Sequence, residues 1–175
     1  KILEITKYIR TKCNKPIYLM MTPPDNLDTL RMLYDAGITE VAFNLEVFNR
    51  TLAKKYMPGK GYIPLDYYEA TFCEAVRLWG NKGAVSSMMI VGLESEESLL
   101  RGVEYLSSLG VAPILSLLKP IAGTPLHYLL PPSDKTILYI AHQAQIICQH
   151  YNLELGPSCH YCEDNSIKIT YPTQQ

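Results

Sequence analysis

The chain has 175 residues, a formal net charge of −1 and 47% hydrophobic residues. These values predict one domain, or a large piece of one, with enough apolar residues for a sizeable core. They exclude the broad basic field typical of nucleic-acid or anionic-membrane binding, and no apolar run approaches the ~18 residues of a transmembrane helix, so neither partner is expected.

The cysteines are few and scattered, which indicates a reduced, cytoplasmic protein. An odd number in a chain of this size is unlike the paired framework of a secreted disulfide protein. The sequence starts at Lys1 without an initiator Met or a signal-peptide pattern, so we interpret it as a trimmed or excised chain. The five cysteines are Cys13, Cys73, Cys148, Cys159 and Cys162.

Four short apolar segments have the character of strands. The first, residues 17–22, is a nearly continuous apolar run that ends at Pro23-Pro24. Such runs are typical of strands buried on both faces. The predicted strands cover residues 17–22, 41–46, 84–91 and 114–119.

Helical patterns precede and separate these strands, and their ends carry the expected capping residues. Gly37 suits a helix C-cap, Pro64 the first turn, and Ser95 and Ser133 N-caps. The predicted helices cover residues 2–12, 27–36, 48–56, 64–78, 95–109 and 133–151.

Strands that alternate with helices at this spacing predict an α/β fold with a parallel sheet and right-handed crossovers. Four βα units are half of an eight-fold barrel, so we predict a partial TIM-type (β/α) barrel over residues 1–152. Residues 153–175 form a C-terminal extension that contains a CxxC motif. In such folds the ligand site lies at the carboxyl ends of the strands.

Asn44 and Glu46 are the first candidate site residues. In a regular strand they point to the same side as Ala42, opposite Val41 and Phe43. A carboxylate accepts from hydroxyls or an ammonium, and an amide both donates and accepts, so the pair suits a polar ligand. The alternative is that the strand has ended and Glu46 is a solvated or helix-capping residue.

Gly92 and Lys119 also follow strands. A glycine lets a backbone or ligand approach closely, although most such glycines only permit a turn. The Lys119 amine suits a carboxylate or phosphate at the barrel mouth, and the alternative is a lysine in solvent.

The tail contains Cys159-His160-Tyr161-Cys162. Two thiolates at this spacing can share a zinc ion or one corner of an iron–sulfur cluster. Cys148 and His150 could complete such a zinc or iron site. The alternative is a pair of buried or incidental thiols.

Three short motifs in residues 17–126 resemble the radical S-adenosylmethionine (SAM) superfamily, most closely the branch around biotin synthase and the hydrogenase maturases. Asn44-Leu45-Glu46 matches a strand-end motif that meets the cofactor. Ile90 and Gly92 match part of a Gly-x-Ile-x-Gly-x-x-Glu pattern, and Gly123-Thr124-Pro125-Leu126 matches a phrase after the following strand.

The second motif departs from the family pattern at two places. Met88 stands where the family has its first glycine, and the acid falls on Glu94 or Glu96.

The resemblance implies roles for several residues. Asn44 and Glu46 would hold the ribose hydroxyls or the amino group of SAM, and the backbone of Ile90 to Gly92 would lie along the adenine. One of Lys54, Lys55 and Lys60 would neutralise the methionine carboxylate. Lys119, Pro120 and Ile121 would complete the adenine pocket.

The family's three-cysteine motif, Cys-x-x-x-Cys-x-x-Cys, does not occur in this sequence. It holds the [4Fe–4S] cluster that cleaves SAM to a 5′-deoxyadenosyl radical. The resemblance therefore implies a chain that corresponds to strands three to six of the family barrel. The intact protein would be an enzyme acting on an unidentified small molecule, and this chain alone would be inactive.

Removal of two preceding strands would expose the sheet edge at residues 17–22. We therefore expect the edge to pair with the N-terminal half of the same protein, to self-associate, or to be covered by the first helix or the tail. Two other functions remain open. One is a non-catalytic half-barrel assembly module, and the other is a barrel lyase or aldolase that would need Lys119 as a buried catalytic lysine.

Overall fold

The computed structural model describes residues 1–156 and 166–167. The candidate metal ligands Cys159 and Cys162 lie outside these residues. The helices are α1 (Ile2–Arg10), α2 (Asp28–Asp35), α3 (Arg50–Tyr56), α4 (Leu65–Trp79), α5 (Glu96–Ser108) and α6 (Asp134–His150). The strands are β1 (Tyr18–Met20), β2 (Glu40–Ala42), β3 (Val85–Val91) and β4 (Ala112–Leu117).

The four strands form one parallel sheet in the order β1-β2-β3-β4. This confirms the predicted α/β partial-barrel architecture and the pairing of the strands in sequence order. Two predicted caps are also observed, because the Ser95 side chain accepts from the Ser98 amide and the Ser133 side chain accepts from the Thr136 amide.

The hydrophobic core lies between the sheet and the helices that pack on one side of it. Helix α4 packs against α2 and β3, α5 packs against β3 and β4, and α6 packs against α5 and β4. The sheet contributes alternate residues to this layer, as the period of a strand requires. They include Val41, Phe43, Leu45, Val85, Met89, Val91 and Leu115.

We call the side of the sheet opposite the helices its inner face. At the β1 edge this face is open, since Tyr18 is 41% exposed and Met20 is 52% exposed, whereas Leu19 packs against the core. The prediction that residues 17–22 form a strand buried on both faces is therefore wrong for this chain. A continuous apolar run does not distinguish a central strand from an edge strand, because both need the same residue types on the helix side.

The described part of the C-terminal extension packs on the barrel. Leu153 and Leu155 are buried in the same core as the helices. The Gly156 amide donates to the Pro113 carbonyl at 2.9 Å, and the Ile167 amide donates to the Leu115 carbonyl at 2.8 Å. These contacts lie along β4, so this part of the tail does not cover the opposite edge at β1.

In the part of the chain that the structure describes, no helix is both long enough and apolar enough to cross a membrane.

Candidate functional site

The pairing of β2 with β3 changes register within the predicted site. Ala42 pairs with Ser86, but the next bridge joins Glu46 to Met89. β2 therefore advances four residues where β3 advances three, which is a β-bulge with one extra residue in β2. Bulges of this kind re-aim side chains and are common beside functional sites.

Side chains replace the backbone hydrogen bonds that the bulge interrupts. The Ser87 hydroxyl donates to the Phe43 carbonyl and accepts from the Leu45 amide, both at 3.0 Å. The Met88 amide donates to Asn44 Oδ1 at 3.1 Å. The backbone ladder resumes where Glu46 N donates to Met88 O at 2.7 Å and Ile90 N donates to Glu46 O at 2.9 Å. The Phe43 carbonyl and the amides of Leu45 and Met88 therefore have partners although the ladder is irregular here.

Glu46 itself has an unusual backbone conformation. Its φ is +61°, and the Val47 amide donates across it to the Leu45 carbonyl at 2.8 Å, which closes a three-residue turn. A non-glycine residue in the left-handed region costs free energy, and such strain concentrates at functional sites. The turn lies between Leu45 and Val47, which are both fully buried, and leaves the Glu46 side chain 22% exposed.

Lys60 is the cation that meets Glu46. Its Nζ donates to Glu46 Oε1 at 2.5 Å and to the Asn44 carbonyl at 3.3 Å, and its side chain is 23% exposed. The ammoniums of Lys54 and Lys55 instead lie over the rings of Tyr62 and Tyr56. Of the three lysines that the sequence left open, Lys60 is therefore the one at the site.

Arg50 and Tyr68 make hydrogen bonds to the backbone around the Lys60–Glu46 pair. The Arg50 guanidinium donates to the carbonyls of Val47, Gly61 and Ile63, which ties the Lys60 loop to the bulge. Burial lowers the pKa of Arg50, although the neighbouring Tyr68 and Glu94 favour its charge. These bonds fix the backbone on both sides of the Lys60–Glu46 pair.

The buried Tyr68 hydroxyl donates to the Asn44 carbonyl at 3.3 Å. Burial raises the pKa of Tyr68 to about 12, with Arg50 opposing the shift and Glu46 adding to it. The hydroxyl therefore keeps its proton, and its role as a donor, through the neutral range.

Asn44 is buried, and both ends of its amide have partners within the sheet. Oδ1 accepts from Met88 N, and Nδ2 donates to Met20 Sδ at 3.2 Å. In this structure Asn44 joins the first three strands to one another. Thioether sulfur is a weak acceptor, so the Nδ2 contact is the easier one to exchange for a ligand.

Ile90 and Gly92 lie at the end of β3 beside the cluster. The Ile90 side chain is half-buried in a small hydrophobic group with Val47 and Leu118. Gly92 is exposed with φ +107°, and a Cβ there would lie 3.1 Å from Leu118 Cβ and 3.2 Å from Pro132 Cδ. Gly92 therefore permits a turn and close packing of the chain on itself, which was the simpler sequence interpretation.

The Glu94 side chain accepts hydrogen bonds from other parts of the chain. Its carboxylate accepts from the amides of Phe48 and Asn49 at 2.7 and 2.9 Å and from the Ser98 hydroxyl at 2.6 Å. These bonds connect the segment after Glu46 to the start of α5. The acid that aligns with the family motif is thus already engaged inside the chain.

Lys119 is exposed beyond the end of β4, and Pro120 after it is half-buried. Within residues 1–156 and 166–167 Lys119 has no ion pair. This matches the interpretation of a lysine in solvent and does not provide the buried lysine that an aldolase would need.

The described cysteines do not suit an iron–sulfur cluster. Cys13 is half-buried, Cys73 is exposed on α4 and Cys148 is buried on α6. Burial raises the pKa of the Cys148 thiol to about 11, which disfavours the thiolate that binds metal. Among residues 1–156 and 166–167 no group of three His, Cys, Asp or Glu side chains is placed to hold a metal ion.

The sequence patterns do not single out Ser87, Arg50 or Tyr68. Ser86-Ser87 is a polar pair inside an otherwise apolar strand, and that was the available signal for Ser87. Nothing in the sequence around Arg50 or Tyr68 distinguishes them from ordinary helix residues. Their role depends on a bulge that the strand pattern does not reveal.

No family model matches the sequence. Solved structures do match the fold. Coproporphyrinogen III oxidase (HemN) from Escherichia coli, a radical SAM enzyme, superposes with a TM-score of 0.66 at 15% identity, covering 86% of this chain and 36% of that one. The chain therefore has the fold of part of a radical SAM barrel. The comparison confirms the structural similarity to that superfamily which the sequence motifs predicted.

Two further structures are similar to this chain in fold. The [FeFe]-hydrogenase maturase HydG gives a TM-score of 0.67 at 15% identity, covering 87% of this chain and 36% of that one. A domain of pyruvate-formate lyase-activating enzyme from Bacteroides vulgatus gives 0.58 at 14% identity, covering 90% and 89%.

One curated protein is similar in sequence. Bacteriochlorophyllide c C-7(1)-hydroxylase from Chlorobaculum limnaeum is 30% identical over 112 residues, which is 63% of this chain and 28% of the hydroxylase. The chain is thus a distant homologue of that hydroxylase and spans less than a third of its length.

Proposed function

We propose that this chain supplies part of the SAM site of a radical SAM enzyme and that the intact enzyme acts on a small molecule. The observation that carries the proposal is the Lys60–Glu46 pair on a strained bulge at the carboxyl end of β2. The distant homology to a hydroxylase and the shared fold support it.

The donor set at the bulge fits the polar groups of SAM. Within the described residues Glu46 Oε2 has no hydrogen-bond partner, so it can accept from a ribose hydroxyl or an ammonium. Lys60 provides the cation for a carboxylate, and Asn44 Nδ2 can exchange its sulfur contact for an oxygen acceptor. The half-buried Ile90 side chain and the Gly92 backbone then provide an apolar surface for the adenine, which Lys119 and Pro120 border.

The described residues do not fit a [4Fe–4S] cluster, because their cysteines lie apart and no three metal-binding side chains are grouped among them. In an intact enzyme, SAM cleaved by one electron from the cluster would supply a 5′-deoxyadenosyl radical and release methionine. The residues of this chain bind and orient the cofactor, while Arg50 and Tyr68 hold the backbone around it. A cytoplasmic, reducing location is part of this proposal because the three described cysteines are free thiols.

The test is equilibrium dialysis of the chain against labelled SAM. We expect Glu46→Gln to weaken binding by about tenfold or more, because a charge-assisted hydrogen bond contributes roughly 1.5–3 kcal/mol. Glu97→Gln is the matched control, since its carboxylate is 83% exposed and pairs only with Arg101 in the described structure. Equal affinities for the wild type and both variants would remove Glu46 from the site. We expect no reductive cleavage of SAM by this chain.

The sheet edge at β1 requires a partner in this proposal. Apolar residues are exposed both on α1, including Ile5 and Tyr8, and on the inner face of β1, at Tyr18 and Met20. We propose that the preceding strands of the same protein occupy this edge. Light scattering of the chain tests the alternative, because concentration-dependent dimers that Ile5→Lys abolishes would indicate self-association.

We also propose that Cys159 and Cys162 bind zinc or iron. Elemental analysis of protein purified without added metal should find about one ion per chain, and Cys159→Ser should lose it. Substoichiometric metal together with two freely alkylated thiols would contradict this.

A further inference from the structure

We infer that Ser87 is a positioning residue for the Glu46 site: its hydroxyl holds the one-residue bulge that sets the backbone of Asn44 and Glu46. The inference rests on the proposed function for the meaning of the site. The register change and the hydrogen bonds of Ser87 are independent of that function.

Ser87 cannot act by touching a ligand. It is fully buried, and it lies on the helix side of β3 with Val85 and Met89, which are also fully buried. Asn44 and Glu46 contact groups on the opposite side, such as Met20 and Lys60. Any effect of Ser87 on binding must therefore pass through the backbone of β2.

The hydroxyl takes the place of one missing step of the sheet ladder. In a regular parallel register continuing from Ala42 and Ser86, the Phe43 carbonyl would accept from the Met88 amide. The extra residue prevents this, and the Met88 amide turns to the Asn44 side chain. Ser87 then satisfies the two peptide groups on either side of Asn44, which are the Phe43 carbonyl and the Leu45 amide.

The alternative is that Ser87 is an ordinary buried serine. An ordinary buried serine satisfies its own hydroxyl, whereas the two bonds of Ser87 satisfy backbone groups that the bulge has left without a ladder partner. Without the hydroxyl, a buried N–H and a buried C=O lose their partners, and such groups are costly to leave unpaired. The backbone from Phe43 to Leu45 then opens more often, which lets Glu46 leave its turn.

The experiment uses ¹⁵N-labelled chain with Ser87→Ala, and with Ser87→Cys as a second variant. Cysteine leaves no cavity and replaces the hydroxyl by a weaker donor and acceptor, so it provides a second variant if alanine does not fold. The matched control is Ser107→Ala, which removes a buried hydroxyl on α5 whose contact is Cys148 Sγ at 3.8 Å.

Two quantities are measured for each variant, namely amide hydrogen exchange and the dissociation constant for SAM. Ser87→Ala should accelerate exchange of the Leu45 amide by at least about tenfold more than it accelerates Met89 and Leu115. It should also raise the dissociation constant by about tenfold or more. Ser87→Cys should show the same pattern more weakly, and Ser107→Ala should leave both quantities within about twofold of the wild type.

Uniform acceleration across the sheet in both Ser87 variants would overturn the inference, because it would show a loss of overall stability alone. So would wild-type affinity in Ser87→Ala. If the wild-type chain binds no SAM, the proposed function fails separately. Selective exchange at Leu45 then still supports the role of Ser87 in the bulge, and its absence overturns that role.

Discussion

The two junctions on either side of the β3 strand differ in kind. Between β3 and β4 the register runs without interruption from Ser86–Ala112 to Val91–Leu117. Between β2 and β3 it holds for two pairs, breaks at the bulge and resumes at Glu46. The regular junction carries buried apolar residues, and the irregular one carries the polar cluster of Lys60, Glu46, Asn44 and Tyr68.

The difference shows how a sheet accommodates a polar site next to its core. A regular ladder uses every backbone group, so it leaves none for side chains. Beside the bulge, the Asn44 carbonyl accepts from the side chains of Lys60 and Tyr68. This arrangement costs free energy, because the Glu46 backbone is strained and the Ser87 hydroxyl is buried. The regular junction between β3 and β4 stabilises the fold and offsets that cost.

The largest expected effect lies in the regular junction. Leu115 on β4 is fully buried, so Leu115→Ala should lower the free energy of unfolding by about 2–5 kcal/mol. Affinity for SAM in the folded variant should stay near wild type. Chemical denaturation followed by circular dichroism measures the stability, and Ile146→Ala, at a half-exposed position on α6, is the control. A loss in Leu115→Ala no larger than in the control would contradict the assignment of the core.

The next effect concerns Tyr68 and alkaline pH. Its pKa is raised from 10 to about 12, so the folded state favours the protonated hydroxyl. That stability is complete below pH 10 and is lost as the pH rises from 10 to about 12, by up to roughly 2–3 kcal/mol at 1.36 kcal/mol per pKa unit.

Denaturant titrations at pH 8 and pH 11 should therefore show a smaller alkaline loss in Tyr68→Phe than in the wild type. Tyr128→Phe, at an exposed position, is the control and should keep the wild-type pH dependence. An unchanged alkaline slope in Tyr68→Phe would mean that the hydroxyl is not held in the protonated form by its surroundings.

Alanine at Gly92 tests how closely the chain packs around that position. Gly92→Ala places a Cβ close to Leu118 and Pro132 at a φ of +107°, and should cost about 1–3 kcal/mol. Gly123→Ala carries a similar φ of +82° in open space, so it should cost less than Gly92→Ala. Thermal unfolding of the two variants compares them. Equal losses would show that the contact with Leu118 and Pro132 is unimportant.

The smallest expected effect is at Glu46, where the usual order of stability of alanine and glycine variants should be reversed. Because its φ is +61°, Glu46→Gly should be more stable than Glu46→Ala by about 1 kcal/mol. At Ser116, within β4, the order should be the usual one, with alanine more stable than glycine. If alanine is the more stable replacement at Glu46 as well, the left-handed turn is not present in solution.

The regular part of this fold follows from sequence patterns. Residues 84–91 are apolar apart from Ser86 and Ser87 and have clear boundaries, and the observed strand Val85–Val91 agrees with the prediction because burial on the helix side dictates its residues. Alternation also places Val41, Phe43 and Leu45 on one side of their strand, and all three are core residues. Both predictions use local periodicity, because burial in the core requires apolar residues at the period of the strand.

The site was predictable only in part. Asn44 and Glu46 stand out as polar residues at a strand end, but their surroundings come from Ser87, Lys60 and Tyr68, whose bonds to this segment span 14 to 44 residues of sequence. A one-residue register change leaves no mark in the period of a strand as short as β2. The partners of the bulge therefore became visible only with the fold.

The most direct test of the central claim is an amide chemical-shift map of the chain titrated with S-adenosylhomocysteine, a cofactor analogue that lacks the reactive sulfonium. The account predicts that the largest shifts occur at Glu46, Lys60, Ile90 and Gly92 and are lost in Glu46→Gln. Shifts centred elsewhere, for example on the open cleft beside Arg10 and Trp79 at the other end of the sheet, or no saturable shifts at all, would contradict it.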